Sequence, residues 1–369
     1  MKTLDKIVRW GLGAIFIFSG MVKLNDPAGT AIKMQEYFEV FSADFSPLFH
    51  HLIPHALPLA LVICLLEVML GWALLIRYRL RTTLWILLAL IVYFGFLTYY
   101  SAAYNKVTDC GCFGDAIPLT PWQSFGKDVI FGVMALYLII RGKSIFPPSQ
   151  KKSQGGLLMA LLTVANLYIG YRAIEHLPFV DFRPYKVGVN IPKAMQPSAE
   201  YRYLYLMEKG GKEYEFDKWP TDTTYKYKDM ILLNPEAEPK ITDFSVWNDE
   251  GDFTQQLFKG DWLVIVMNDA SQEHAYIPAL DQIKILAEKG EKKGIRPIIL
   301  TASSEAEIDK LRHDKQLGFP VIYGDKTVLK TIIRSNPGLV LISSGTIKGK
   351  WHYNDTPSIG EVMSDLKSK

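Results

Sequence analysis

The chain has 369 residues, a length that suggests two or three domains, and its net charge of +3 gives no reason to propose nucleic acid as a partner. Its hydrophobic share of 49% is high for a soluble protein with 21% charged residues. That average hides two halves: residues 1–176 are apolar runs with short connections, and residues 181–369 have the mixed charge of a water-soluble α/β sequence.

The first apolar run, Ile7 to Val22, follows Lys2, Lys6 and Arg9. A basic start before a short apolar core fits a signal peptide, but no small-residue cleavage site follows, so an uncleaved transmembrane helix is expected. Further runs cover Pro54 to Ile76, Thr82 to Tyr100, Trp122 to Ile140 and Gly155 to Ala173. With about 20 residues needed per crossing, five crossings are predicted. Lys127 and Asp128 interrupt the start of the fourth.

Basic residues in short loops mark the cytoplasmic side. The amino end, the second–third turn (Arg77, Arg79, Arg81) and the fourth–fifth loop (Arg141, Lys143, Lys151, Lys152) carry ten, against four (Lys23, Lys33, Lys106, Lys127) on the other side. The expectation is a cytoplasmic amino terminus, with everything after the fifth helix extracytoplasmic. Lys23 to Thr30 carries turn chemistry. Ala31 to Phe41, with Met34, Tyr37, Phe38 and Phe41 at helical spacing, reads as a helix on the membrane or capping the bundle, or as a packed re-entrant segment.

The loop Asp109-Cys110-Gly111-Cys112-Phe113-Gly114-Asp115 holds two of the three cysteines. A Cys-x-Cys pair around glycine can close a small, strained and therefore labile disulfide. Two thiols can also share a soft metal, although two ligands fall short of the four in a closed zinc site. The plain alternative is a bent loop whose cysteines pack. The predicted orientation puts the loop where disulfides persist, which favours redox chemistry.

Arg9, Gly13, Ser19-Gly20 and Lys23-Leu24 resemble the first helix of the DoxX family of small four-helix membrane proteins. The Cys110-Gly111-Cys112-Phe113-Gly114 loop, with Lys127-Asp128 opening the next helix, resembles the related MauE group over about residues 5–142. The resemblance implies a four-helix bundle of the bacterial inner membrane tied to redox or disulfide chemistry. DoxX relatives accompany thiosulfate–quinone oxidoreductases, and MauE accompanies maturation of a disulfide-rich dehydrogenase. The fifth helix and the large outer region depart from both groups, so no substrate carries over.

Glu67 lies mid-helix, and an acid at membrane depth faces the bundle interior or a functional pathway. It reads as a proton relay or a quinone contact, or as a partner for Arg9 or a neighbouring hydroxyl. Cys64, three residues earlier, shares its face and reads as a packed core residue. His50, His51 and His55 form a cluster that suits a metal or proton site, though interfacial packing is the stronger reading.

Pro178 to Pro197 reads as an extended connection, and Tyr201 to Met207, Glu213 to Phe216 and Thr224 to Leu233 as strands of a small β-rich insert. Strands are then expected at Ile241–Val246, Trp262–Met267, Pro297–Leu300, Val321–Tyr323, Gly338–Ile342 and Ile347–Trp351. Helices are expected at Ile277–Lys289, Glu305–Leu317 and Ile359–Lys367, giving a sheet with helices on both faces. This order, with Asn336-Pro337 where a cis-proline would sit, resembles the thioredoxin-like fold over about residues 238–369. Where that family places Cys-x-x-Cys, this chain has Asn268 to His274, and no cysteine follows Cys112. The region is therefore expected to bind or position a partner; acid–base work by Asp269 and His274 is a minor alternative.

The expected architecture is an α-helical membrane bundle, DoxX/MauE-like over residues 1–150 with a fifth transmembrane helix at 151–178. A β-rich connector at 179–237 and an extracytoplasmic α/β thioredoxin-like domain at 238–369 follow. The expected activity is thiol/disulfide or quinone-linked electron transfer through Cys110 and Cys112, with Glu67 as proton relay and quinone the one cofactor left open. The lipid bilayer and an extracytoplasmic protein or thiol substrate are the partners. The alternative is a non-catalytic, membrane-anchored assembly protein.

Overall fold

The computed structural model describes residues 3–107, 111, 113–142, 152–271 and 278–368. They fall into two compact units, Met1–Arg183 and Pro184–Lys369.

The first unit is helical: α1 (Thr3–Asn25), α2 (Pro27–Asp44), α3 (Ala56–Ile76), α4 (Leu80–Tyr104), α5 (Pro121–Ile140) and α6 (Lys152–Glu175). A 3₁₀ stretch, Pro47–His55, leads into α3. Among the described residues, five helices are long and apolar enough to cross a membrane, and they coincide with the five predicted runs. The first outlasts its prediction. α1 continues through Lys23-Leu24-Asn25, which the sequence reading gave to a turn, because the Lys23 ammonium has buried partners inside the bundle. The turn comes at Asp26, whose carboxylate accepts from Gly29 N at 2.9 Å and caps α2, with Pro27 in the first helical position.

α2 caps the bundle. Ala31, Met34 and Phe38 pack with Ala56 and Ala60 of α3, while Tyr37 and Phe41 pack with Leu97 and Tyr100 of α4. α1 and α3 meet more closely than side chains would permit. A Cβ on Gly71 would lie 2.8 Å from Gly13 O and 2.9 Å from Ile17 N, so both crossing positions require glycine. Leu12 and Phe16 flank that crossing and join Leu70, Leu74, Leu84, Leu87 and Leu138 in the bundle core.

The second unit opens on a segment that the sequence reading took for a linker. Tyr185 is fully buried, and its hydroxyl donates to Asp243 Oδ1 at 3.2 Å. Gly188 N and Ile191 N donate to Ile347 O and Gly345 O, both at 2.8 Å. Three antiparallel strands follow, β1 (Tyr203–Lys209), β2 (Lys212–Phe216) and β3 (Lys226–Leu232), in the order β2-β1-β3. The predicted hairpin turns at Gly210-Gly211, both at positive φ.

A seven-stranded sheet makes up the rest: β4 (Val246–Asn248), β5 (Gly251–Asp252), β6 (Asp261–Met267), β7 (Arg296–Thr301), β8 (Val321–Gly324), β9 (Gly338–Ser343) and β10 (Thr346–His352). Its order is β10-β9-β6-β7-β8-β4-β5, with β6, β7 and β8 parallel. Alternation along the strands divides the core in two. Leu263, Ile265, Ile299, Leu339 and Leu341 face α7 (Ala279–Glu291), α8 (Glu305–Lys315) and α10 (Ile359–Lys367). Val264, Val266, Val340 and Ile342 face Tyr185, Ile191, Phe244 and Ile332, the last on α9 (Lys326–Ile332). α9 was not predicted. The expected strand at Ile241–Val246 is reduced to β4, since only Val246 and Trp247 pair with β8. The Asn336-Pro337 bond is cis, as expected.

Candidate functional site

One face of α1 carries Arg9, Gly13, Phe16, Gly20 and Lys23, spaced so that all five lie along a single helical stripe. This stripe is the seam with α3. At one end the Arg9 guanidinium donates to Leu74 O at 2.8 Å and to Leu75 O, satisfying carbonyls that the end of α3 leaves open. Nearby, Asp5 accepts from the Tyr137 hydroxyl at 2.8 Å and pairs with Arg141 at 3.5 Å. Gly13 and Gly20 bring the backbones together. At the other end Lys23 Nζ lies 2.7 Å from Glu67 Oε2, donates to Ser19 Oγ at 3.2 Å and sits 4.7 Å from the Phe94 ring centroid.

The Lys23 and Glu67 side chains are 6% and 4% exposed. Glu67 is thus a buried acid inside the bundle, as predicted, but its partner is Lys23. Arg9, the partner weighed from sequence, is spent on α3 carbonyls almost two turns away.

A second pair, part-buried, comes from the start of α5. Lys127 Nζ lies 2.6 Å from Asp128 Oδ1, and Asp128 Oδ2 accepts from Thr98 Oγ1 of α4 at 3.0 Å. The Lys127 ammonium is 5.4 Å from the Phe113 ring centroid and 5.2 Å from that of Phe131, both within cation–π reach. Both pairs line one cavity of about 10 Å³, walled also by Ile15, Phe16, Ser19, Ile91, Phe94 and Phe131. That volume suits one water and falls far short of a quinone ring.

Cys110 and Cys112 lie outside the described residues. Their described neighbours are fixed against the bundle. Gly114 N donates to Gly111 O at 3.0 Å, and the Phe113 ring packs on Phe18 of α1 with centroids 5.9 Å apart. Gly111 lies against Lys33 of α2, which pairs with Glu36 at 3.1 Å. The loop residues on both sides of Cys112 therefore rest on α1, α2 and α5.

Cys64 is fully buried, with Thr30 Oγ1 3.8 Å from its sulfur, a packed core thiol. His50, His51 and His55 are exposed along the 3₁₀ stretch, and no group of three His, Cys, Asp or Glu among the described residues is placed to hold a metal. In the second unit, Asp269 is held at the end of β6 by Asn336, whose amide donates to Asp269 O at 2.7 Å. Ala270 N donates to Ser303 Oγ at 2.7 Å, and Lys326 lies 3.8 Å from the Asp269 carboxylate. His274 lies outside the described residues.

Sequence reasoning missed Lys23, Lys127 and Asp128 as members of the site, having counted both lysines as loop charges. The signal was available in the spacing: Lys23 falls on the stripe with Gly13 and Gly20, and Asp128 on the stripe with Ala135 and Leu138.

Five apolar helices with two ion pairs between them define a multi-pass membrane protein joined to an α/β sheet unit. Residues 1–141 match the model of the family described as Methylamine utilisation protein MauE. The chain matches none of the curated proteins with which it was compared.

Proposed function

We propose that this chain is a redox-active relative of the MauE family that passes electrons or disulfides through Cys110 and Cys112, with Glu67 as proton partner. One observation carries the reading. Phe113, next to Cys112, stacks on Lys127, whose neighbour Asp128 lines the same cavity as Glu67. A loop that only joins two helices has no need of charged groups buried beneath it, because such groups are expensive at membrane depth.

The second unit completes the proposal as a thioredoxin-like module without thiols, its cysteine-free loop after β6 docking a protein or thiol substrate. The loop charges support an extracytoplasmic position for it: with Arg9 and Lys23 buried in helices and Lys127 half-buried against Asp128, the bias becomes nine basic residues against two. The printed family name makes a methylamine-utilisation type of system one setting for this activity. The lack of any cysteine after Cys112 favours a second reading, in which the chain is a non-catalytic assembly protein whose outer unit binds a client.

Trapping the resting thiols of the purified chain with a maleimide at a series of redox poises separates the two. The redox reading expects Cys110 and Cys112 to titrate together. It also expects the Cys110→Ser/Cys112→Ser variant to lose function at nearly unchanged stability, since so short a loop contributes little entropic stabilisation. Cysteines that stay reduced at every poise favour the assembly reading.

A further inference from the structure

The cavity between the two ion pairs is built to hold water. Ser19, Lys23, Glu67 and Asp128 are each at most 6% exposed and line it from α1, α3 and α5, with Lys127 completing the wall. Its volume of about 10 Å³ fits one water, and the ammonium, carboxylate and hydroxyl groups on its walls supply the partners a buried water requires. One turn before Asp128, Ser124 is completely buried and its hydroxyl has no hydrogen-bond partner. A native hydroxyl left in that state calls for a partner of the kind that buried water supplies.

We infer that water in this cavity couples the Lys23–Glu67 and Lys127–Asp128 pairs into one proton-holding unit, and that the unit holds a proton exchanged by the Cys110/Cys112 dithiol; the second clause rests on the redox reading above. The physical reason is charge balance. Two cations and two anions surround the water, so a proton placed on either carboxylate is felt by the other across a medium of low dielectric. The other titratable groups near the two pairs are the Cys64 thiol of α3, which senses both Lys23 and Glu67, and Asp26 at the cap of α2; α4 contributes the Thr98 hydroxyl.

In exchange with an external dithiol, a donor thiolate attacks one protein sulfur. The protein S–S bond breaks, a mixed S–S bond forms, and the other protein sulfur leaves as thiolate. The second donor thiolate then attacks its own bonded sulfur, closing the donor disulfide and freeing the remaining protein sulfur. Two electrons pass from donor to protein, and the two protons shed by the donor thiols end on the two protein sulfurs. The unit stores one of these protons on Glu67 or Asp128 between its loss and its uptake.

The test is an infrared difference spectrum of the full chain in liposomes, reduced with dithiothreitol and reoxidised, in H₂O and D₂O, with thiol state followed by maleimide in the same samples. The expected result is a protonated-carboxyl band that follows thiol state and shifts in D₂O. Of Glu67→Gln and Asp128→Asn, one should remove the band and the other should shift it. Should either variant fail to fold, Ser19→Ala and Thr98→Val leave all four charges in place and should each shift the band. Thiols that cycle with no carboxyl signal overturn the inference. So does a band that one pair's variants remove and the other pair's leave unmoved. Cysteines that never change state remove the redox reading itself, a failure the maleimide arm identifies separately.

Discussion

Replacing Lys23 by Met tests whether the Lys23–Glu67 pair is a matched unit or two tolerated charges. Lys23 gives Glu67 its contact at 2.7 Å, and the carboxylate is 4% exposed, so bulk solvent cannot take over when the ammonium is gone. Stranding one member of a buried pair costs about 3–5 kcal/mol. At 1.4 kcal/mol per decade, that is a change of about two to three and a half orders of magnitude in the folding equilibrium. Replacing both members together leaves no orphan charge, and apolar substitutes for a buried pair are neutral or stabilising by about 1–4 kcal/mol. Lys23→Met should therefore be strongly destabilised, and Lys23→Met/Glu67→Met should recover at least to the parent. Denaturant titration of the detergent-purified chain, read by helix signal and by gel-filtration profile, measures both. A single variant within about 1 kcal/mol of the parent, or a double variant no better than the single, would refute the reasoning.

Gly71→Val should prevent α1 from seating on α3, because its Cβ alone would lie 2.8 Å from Gly13 O, whereas Gly11→Ala meets only Met134 Cε at 3.9 Å and should be neutral; expression and thermal stability in detergent compare the two. The Tyr100 hydroxyl, and after it Lys106, hold the Asp44 carboxyl below the usual carboxylate range. With its folded value depressed, the stabilisation from this contact is present above about pH 3.9, the unfolded value, and is lost as pH falls through the lower folded value. Hydrogen exchange across α2 should show that acid step, and Asp44→Asn should lack it. A fragment beginning at Pro184 should fold alone and show no disulfide reductase activity, while one beginning at Pro192 loses the fully buried Tyr185. Urea titration should find the shorter fragment weaker by about 3–5 kcal/mol, the scale for deleting a buried aromatic side chain.

Much of the fold was legible because its elements carry local signals. Apolar length marked the five long helices, and Gly210-Gly211 marked the hairpin. The elements that escaped depend on tertiary contacts. Residues 185–191 look like a proline-broken linker, and only pairing with β10 and the burial of Tyr185 make them part of the sheet unit. The site was legible in part for the same reason. Glu67 announces itself, since an acid in an apolar helix has no ordinary explanation. Lys23 and Lys127 do not, because a lysine near the end of an apolar run looks like a flanking charge until its partner is known. The α1 motif was recognised as a pattern before its physics was visible: Arg9 caps α3, Gly13 and Gly20 admit it, and Lys23 neutralises its acid.

The Asn25 side chain has a mechanical consequence. Its amide nitrogen donates to Val180 O at 2.8 Å, and its oxygen accepts from Val180 N at 3.0 Å, so the last residue of α1 grips the irregular segment that leaves α6. Three residues further on, Arg183 grasps Asp181 with two nitrogens, at 2.7 and 2.9 Å, and stiffens the same stretch. Traction on the chain beyond Arg183 is then borne by two helices at once, the sixth through its covalent end and the first through this clasp. The load enters α1 two residues from Lys23. Tension on the chain beyond Arg183 would reach the buried ion pair directly, as a bell-rope reaches a clapper through a fixed pulley.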